Sequence, residues 1–164
     1  MQSIGLNPEV LPADIDESLA PGESPEEAVT RLARLKAEAI LEKESDAVVL
    51  AADTIVVLDD EILGKPRDEA EAISMLKSLS NRSHIVYSAY ALFSAEKTKL
   101  NCIGTEVVFA DLSEALIQSY VASGEPMDKA GSYGIQDFGG ILVKEIKGSY
   151  STVVGLPMAE LCAD

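Results

Sequence analysis

The chain is 164 residues long, and its length and composition are those of one folded domain. Hydrophobic residues make up 47% and charged residues 25%, values that exclude a disordered or fibrous chain. The charge is strongly acidic, with 13 Lys and Arg against 28 Asp and Glu and a formal net charge of −15. Such a surface repels phosphate backbones, so we expect no nucleic acid polymer as a partner. A small ligand carrying phosphates would need local lysines, a metal ion or both.

The cysteines and the N-terminal residues indicate the compartment. Cys102 and Cys162 are far apart in the sequence, without a CxxC pair or a neighbouring histidine. This argues against a disulfide framework and a zinc site, and it suits a reducing compartment. No apolar run is long enough to span a membrane, and residues 1–10 lack the regions of a secretory signal. We therefore expect a cytoplasmic protein without a membrane partner.

Helices are predicted from their N-terminal caps. Residues 24–27, Ser-Pro-Glu-Glu, form a capping box with proline at the first helical position, and a helical pattern follows. Asp68 caps a second helix that extends to Leu79, and Ser113 caps a third. A short C-terminal helix is predicted to begin at Pro157.

Strands are predicted at residues 47–60, 84–95, 101–110 and 140–146. The first run is apolar with β-branched members and ends at an Asp-Asp turn, so it predicts two short buried strands or one bent strand. The second and third are predicted to be neighbours joined by a polar hairpin around residues 96–98. Alternating strands and helices indicate an α/β fold with a mixed, twisted sheet and flanking helices.

Asp53 interrupts the apolar run at residues 47–58. Burying an unpaired carboxylate costs several kcal/mol, so this side chain requires a cation, hydrogen-bond donors or a proton. It either caps a turn at the end of a strand or serves as a catalytic or metal-binding carboxylate where α/β sites open.

Two lysines accompany this carboxylate in the sequence. Lys36 lies one turn from Leu32 and Ile40 on the apolar stripe of the first helix, where it either extends to solvent at the edge or points into a site. Lys65 lies on a tight turn after the Asp53 strand, where surface lysines are also common. A carboxylate that can hold a divalent cation and two lysines that can bind phosphates are typical of metal-assisted phosphoryl chemistry.

The stretch DKAGSYGIQ, residues 128–136, is unusually rich in Gly, Tyr and Gln. Its glycines allow a close approach of the backbone to a ligand, and the Gln136 amide can read the edge of a base. A plain turn between helix and strand explains the stretch equally well. His84, the only histidine, has no partner nearby in the sequence, and we expect a structural role at the end of a strand.

Several motifs occur together in an order and spacing that resemble the Maf family. They are Ala52-Asp53-Thr54, Gly64-Lys65-Pro66, Gly124-Glu125-Pro126, DKAGSYGIQ at residues 128–136 and Gly155-Leu156-Pro157. The resemblance runs from about Ile4 to the last residues and implies a single domain over residues 1–164. It implies an architecture similar to that of inosine-triphosphate pyrophosphatases. It also implies hydrolysis of a nucleoside triphosphate to the monophosphate and pyrophosphate.

The resemblance assigns roles to individual residues. Asp53 takes the position of the catalytic carboxylate, the proton acceptor. Lys36 and Lys65 take the positions of phosphate-binding lysines, and Thr54 and Gln136 those linked to base selection. The family branch that acts on dTTP and UTP resembles DKAGxYGIQ, whereas the branch that acts on 7-methyl-GTP lacks this glutamine. The resemblance therefore implies dTTP and UTP as substrates.

The resemblance also implies a divalent cation of the Mg, Mn or Co type and a homodimer. Asp16 or Glu17, acidic residues before the first helix, take positions that help to hold the metal. Family members open with a strand and a Ser-x-Ser-Pro-Arg-Arg loop, whereas residues 1–6 resemble the segment just after that loop. We therefore expect a chain truncated at the N-terminus relative to the family. The alternative function is that of a catalytically weak or inactive nucleotide-binding protein or a regulator linked to septation.

Overall fold

The computed structural model describes Gly5, residues 7–94 and residues 96–164. Apart from Gly5, the segment at residues 1–6 that resembles part of the family pattern lies outside the described residues.

The predicted caps begin the first three helices. Helix α1 (Pro25–Leu41) has the complete capping box: Ser24 Oγ accepts from Glu27 N at 3.3 Å, and Glu27 Oε2 accepts from Ser24 N at 2.8 Å. Asp68 accepts from the first turn of α2 (Glu69–Leu79), and Ser113 does the same for α3 (Glu114–Ala122). These capping side chains accept hydrogen bonds from backbone N–H groups that have no partner inside the helix. Because cap and helix start are adjacent in the chain, the sequence is enough to predict them.

The sheet contains β1 (Val49–Leu58), β2 (Glu61–Leu63), β3 (Ser83–Phe93), β4 (Thr98–Phe109) and β5 (Val143–Lys147). The predicted first strand is one continuous strand, β1, and the Asp-Asp turn joins it to β2. Asp59 and Asp60 have φ values of 50° and 67°, as a two-residue hairpin requires.

The α/β class with helices flanking a sheet is confirmed. The strand order is β2-β1-β3-β4-β5, and every pairing among the described strands is antiparallel, whereas a mixed sheet was predicted. The reason lies in the connection through α2. This helix links β2 to β3, which run in the same direction but lie on either side of β1 and do not pair with each other.

Side chains alternate across β1 and so divide the core into two layers. We call the side that α1 covers the α1 face; Ile55 and Val57 of β1 pack there with Ala33 and Ala37 of the helix. We call the opposite side the cleft face, where Val56 of β1 belongs to a core built with α2, α3 and β4.

The C-terminal third is more helical than predicted. Residues 128–136, for which a plain turn was one of two interpretations, lie within a series of short 3₁₀ turns at Glu125–Asp128, Ala130–Ser132 and Asp137–Leu142. A five-residue helix, α4 (Tyr150–Val154), was not predicted, whereas α5 (Met158–Ala163) follows Pro157 as expected. No described helix combines the length and apolar character needed to cross a bilayer.

Candidate functional site

On the α1 face, one lysine is shared by two carboxylates. Lys36 Nζ lies 2.6 Å from Asp53 Oδ1 and 2.7 Å from Glu17 Oε1. The side chains of Lys36 and Asp53 are 19% and 14% exposed, whereas that of Glu17 is 51% exposed. Lys36 therefore does not extend freely into solvent. It supplies the cation that the sequence required for Asp53.

The local sequence explains how Lys36 reaches the sheet. Its helix neighbours Ala33 and Ala37 are fully buried, so α1 lies close against the strands. Asp53 is paired across the sheet with Ala89, another fully buried small residue. The space that these alanines leave on the α1 face accommodates a carboxylate and an ammonium group side by side.

Burial and pairing act in opposite directions on the charges of this cluster. Burial raises the pKa of Asp53, and the ammonium group of Lys36 only partly opposes the rise. Burial also disfavours the charged form of Lys36, but its two carboxylate partners outweigh this effect and raise its pKa. The hydrogen bond from Lys36 lowers the pKa of Glu17. The two carboxylates that share Lys36 are therefore shifted in opposite directions, Asp53 towards higher and Glu17 towards lower pKa.

Asp16 lies in a different environment from Glu17. Its Oδ1 accepts from Ser18 N at 2.9 Å, and this backbone hydrogen bond, with Arg31 nearby, lowers its pKa. Arg31 also binds Glu23 through both carboxylate oxygens, at 2.7 and 2.8 Å, and donates to Ser18 O at 3.0 Å. The structure therefore brings Glu17 together with Asp53 and Lys36. Asp16 instead belongs to the hydrogen bonds and ion pairs that hold the loop before α1.

A cleft of about 420 Å³ opens on the cleft face of β1. Thr54, Lys65 and Gln136, three of the residues singled out in the sequence, line it. The other charged residues that line it are Glu125, Asp128, Lys129 and Asp137, and Tyr133 forms part of its wall. The Lys129 side chain passes directly over Gly134, where an added side chain would lie 2.7 Å from Lys129 Cε and would displace this flexible chain.

A hydrogen-bond chain fixes the Thr54 hydroxyl in this cleft. Ser88 is fully buried and donates to Thr152 O at 2.7 Å, while its oxygen lies 2.7 Å from Thr54 Oγ1. Because the Ser88 hydroxyl donates its only hydrogen to Thr152 O, Thr54 must be the donor in the hydrogen bond between Thr54 and Ser88. The lone pairs of Thr54 Oγ1 are then the groups that this residue offers to a ligand.

Lys65 connects the two faces. Its charge acts on both Asp53 and Glu17, and the same residue lines the cleft beside Thr54. The turn that carries it is tied to the DKAG motif, since Gly131 N donates to Gly64 O at 3.0 Å. Lys65 is thus a residue of the cleft whose charge also acts on the Asp53 carboxylate.

His84 has the structural role predicted for it. Its Nε2 lies 2.7 Å from the Tyr133 hydroxyl, and its ring packs edge-on against Phe109 and Tyr133. Burial lowers the pKa of His84 to about 4, so the ring is neutral at physiological pH. This histidine supports one wall of the cleft.

Asp53 and Glu17 are the carboxylates that could ligate a hard divalent cation. Among the described residues, no three His, Cys, Asp or Glu side chains cluster as a metal site. Asp53 and Glu17 are two carboxylates that meet at one lysine. Mg²⁺ and related ions are often held by one or two carboxylates, with water and substrate phosphates completing the shell. The site therefore fits a cation that arrives with a phosphorylated substrate.

Comparison with known proteins decides the family. The family described as Maf-like protein matches residues 1–163. This chain belongs to the Maf family. The fold and the cleft described above are thus those of a Maf protein, as the motifs indicated.

Relatives within the family carry a consistent name. A dTTP/UTP pyrophosphatase of Desulfotalea psychrophila is 49% identical over 98% of this chain and 84% of its own length. One from Shewanella oneidensis is 54% identical over 93% of this chain and 80% of its own length. One from Aquifex aeolicus is 46% identical over 96% of this chain and 83% of its own length.

Sequence reasoning missed several polar residues that shape the cleft. Ser88 was read only as part of a strand, and Lys129 only as part of a motif. Glu125 was part of a motif without an assigned role, and no role was predicted for Tyr120. Their partners are distant in sequence: Ser88 meets Thr152, and Tyr120 meets Gly134. The one available signal was that these polar residues stand beside apolar core positions.

Proposed function

We propose that this chain hydrolyses dTTP and UTP to the corresponding monophosphate and pyrophosphate. The observation that carries the proposal is the arrangement around β1, where the partly buried carboxylate of Asp53 lies beside Lys36. Lys65 acts on this carboxylate and also lines the cleft with Thr54 and Gln136. The names of the Maf relatives support the same reaction.

Asp53 is the proton acceptor in the proposed reaction. A water oxygen forms a bond to the α-phosphorus, the bond from that phosphorus to the oxygen bridging to the β-phosphorus breaks, and Asp53 takes the water's proton. Burial raises the pKa of Asp53, which makes the carboxylate a better base than an ordinary Asp. The ammonium group of Lys36 opposes this rise and so favours the ionised carboxylate.

Lys36 and Lys65 hold the triphosphate. An ammonium group has three donors, and Asp53 and Glu17 use two of those on Lys36. The third is available to a phosphate oxygen. Lys65 is exposed and lines the cleft. Its ammonium group can stabilise the negative charge that develops on the leaving pyrophosphate.

A divalent cation of the Mg, Mn or Co type is part of the proposal. Asp53 and Glu17 would hold it together with the substrate phosphates, and Asp16 contributes from the adjoining loop at most indirectly. When bound, the ion supplies positive charge that offsets the negative charge of the triphosphate.

Thr54 and Gln136 read the base. Thr54 offers an acceptor oxygen, and the exposed Gln136 side chain offers an amide with an acceptor and two donors. The N3–H of uracil or thymine is a donor flanked by carbonyl oxygens, so it complements an acceptor placed beside amide donors. Purines present a different edge and a larger ring.

The proposal is tested by measuring pyrophosphate release from UTP, dTTP, ATP and GTP in the presence of Mg²⁺, Mn²⁺ or Co²⁺. We expect dTTP and UTP to be hydrolysed faster than ATP and GTP. Equal rates on all four nucleotides would contradict the role given to Gln136. Binding of dTTP without release of pyrophosphate would identify the chain as a nucleotide-binding protein and not an enzyme.

We also propose a cytoplasmic location, for which the free thiols of Cys102 and Cys162 are the supporting observation. The homodimer implied by the family resemblance stays a prediction. Light scattering of the purified protein gives its mass directly and tests it.

A further inference from the structure

The loop that carries Gln136 is held on both sides by one buried tyrosine. The Tyr120 hydroxyl accepts a hydrogen bond from Gly134 N at 3.1 Å, two residues before Gln136. The Tyr120 ring packs edge-on against Phe138, two residues after Gln136, with ring centroids 5.5 Å apart. A side chain at position 139 would come within 2.8 Å of the Tyr120 hydroxyl, so the loop backbone lies directly against that group.

Glu125 completes this contact from the turn after α3. Its Oε1 accepts from Phe138 N at 3.4 Å, and its other oxygen is buried without a hydrogen-bond partner in the described part of the chain. Burial raises the pKa of the Tyr120 hydroxyl to about 12, and the nearby carboxylate of Glu125 adds to the effect. The Tyr120 hydroxyl is therefore protonated at neutral pH.

The contrast with Gln136 makes these contacts informative. Gln136 itself is exposed, whereas Tyr120 is fully buried. An exposed amide on a loop can select between bases only if the loop backbone holds it in one place. Tyr120 and Glu125 supply that constraint from the sequence immediately before the loop.

We propose that Tyr120 and Glu125 are positioning residues that fix the loop carrying Gln136, and that they thereby set the preference for pyrimidine nucleotides. This inference rests on the proposed function, because it presumes that Gln136 contacts the base. It assigns neither residue a contact with the reacting atoms.

The decisive variant is Tyr120→Phe, which keeps the ring and removes only the hydroxyl. We expect the ratio of kcat/KM for UTP to that for ATP to fall roughly three- to tenfold, through KM for UTP, because one neutral hydrogen bond is lost. The value of kcat/KM for ribose 5′-triphosphate, which has no base, should stay unchanged. Tyr90→Phe is the matched control, since Tyr90 is also fully buried and its hydroxyl donates to Asp164 at 2.6 Å. It should leave the UTP to ATP ratio unchanged.

Hydrogen exchange separates failure of this inference from failure of the proposed function. If wild-type protein shows no preference for dTTP and UTP, the proposed function fails. The exchange rate of the Gly134 amide still shows whether the Tyr120 hydroxyl holds the loop. We expect that amide to exchange at least tenfold faster in Tyr120→Phe than in wild-type protein. An unchanged exchange rate, an unchanged base preference, or an equal loss on ribose 5′-triphosphate and UTP would each overturn the positioning role.

Glu125 is tested by a pair of variants. Glu125→Gln retains an oxygen that can accept from Phe138 N, whereas Glu125→Ala does not. We expect Glu125→Gln to keep most of the base preference and Glu125→Ala to lose it about as far as Tyr120→Phe. Equal behaviour of the two variants would overturn the role given to the Phe138 hydrogen bond.

Discussion

Asp53 and Thr54 are neighbours in the chain, yet they serve opposite faces of the same sheet. Asp53 faces α1, where it pairs with Lys36, and its surroundings are charged and closely packed. Thr54 faces the cleft, where its hydrogen-bond partner is the neutral Ser88 hydroxyl. The alternation of side chains along one strand thus separates groups suited to phosphate chemistry from groups suited to base selection.

The chemical properties of the side chains are set differently on the two faces of the sheet. On the α1 face, burial and charge pairing set the two carboxylates apart, since burial raises the pKa of Asp53 while the hydrogen bond from Lys36 lowers that of Glu17. On the cleft face, buried hydroxyls decide which atoms accept and which donate. If this division is real, substitutions on one face should change rate and pH dependence, and those on the other should change substrate preference.

The largest effect is expected from Asp53→Asn. The amide keeps the shape of the side chain but cannot accept a proton at neutral pH, so kcat for UTP should fall roughly a hundredfold to ten-thousandfold. Glu17 still pairs with Lys36, and the melting temperature should stay within about 5 °C of wild type or rise, because a buried charge is removed. Both are measured on the same preparation, by pyrophosphate release and by thermal unfolding. Hydrolysis at the wild-type rate in a stable variant would end the assignment of Asp53 as the base.

The next effect concerns stability on the cleft face, where His84 supports Tyr133. Burial lowers the pKa of His84 to about 4, so the unfolded chain binds a proton between about pH 6.5 and 4 that the folded protein does not. Stability is therefore lost as the pH falls through this window, by up to about 3 kcal/mol.

The test for His84 is a difference between two proteins. Urea unfolding of wild-type protein and of His84→Gln is followed from pH 7 to pH 4, so that the many carboxylates common to both cancel. Wild-type protein should lose more stability than the variant over this range. Parallel pH curves would show that His84 does not titrate as its burial requires.

The elements on these faces were predictable where their signals are local. The capping box at Ser24 and the caps at Asp68 and Ser113 define helix starts because donor and acceptor lie within three residues. The Asp-Asp turn was likewise visible, since two adjacent residues form it. Asp53, Lys36 and Lys65 were recognisable as anomalies of charge in apolar or turn positions.

What the sequence did not reveal depends on residues far apart in the chain. The pairing of β1 with both β2 and β3 decides the antiparallel sheet, and no local pattern specifies a partner strand. The same holds for Tyr120, whose contact with Gly134 spans 14 residues. The short helix α4 follows Gly148, whose φ of 139° permits a turn that strand and helix patterns do not show.

A smaller effect on rate, with a distinctive pH signature, is expected from Lys36→Met. Loss of one charge-assisted contact to phosphate should raise KM for UTP roughly tenfold to a hundredfold. Because Lys36 lowers the pKa of Asp53, its removal should raise that pKa and move the acid limb of kcat/KM to higher pH. Lys36→Arg retains the charge and should move the limb less. An acid limb unchanged in Lys36→Met would show that Asp53 is not the group that the profile reports.

The smallest effect, and the sharpest test of the two-face division, is expected from Thr54→Val. The substitution keeps the shape of the side chain and removes the hydroxyl that Ser88 orients, so kcat/KM for UTP should fall roughly three- to tenfold while that for ribose 5′-triphosphate is unchanged. Thr54→Ser, which keeps the hydroxyl, is the matched control. The acid limb should stay where it is in wild-type protein, since Thr54 does not face the carboxylate. Combined with Lys36→Met, the two losses in kcat/KM should add in free energy to within about 0.5 kcal/mol, as for groups that share no partner. A larger coupling energy would mean that phosphate chemistry and base selection are not separated by the strand, and that Asp53 and Thr54 act as one unit.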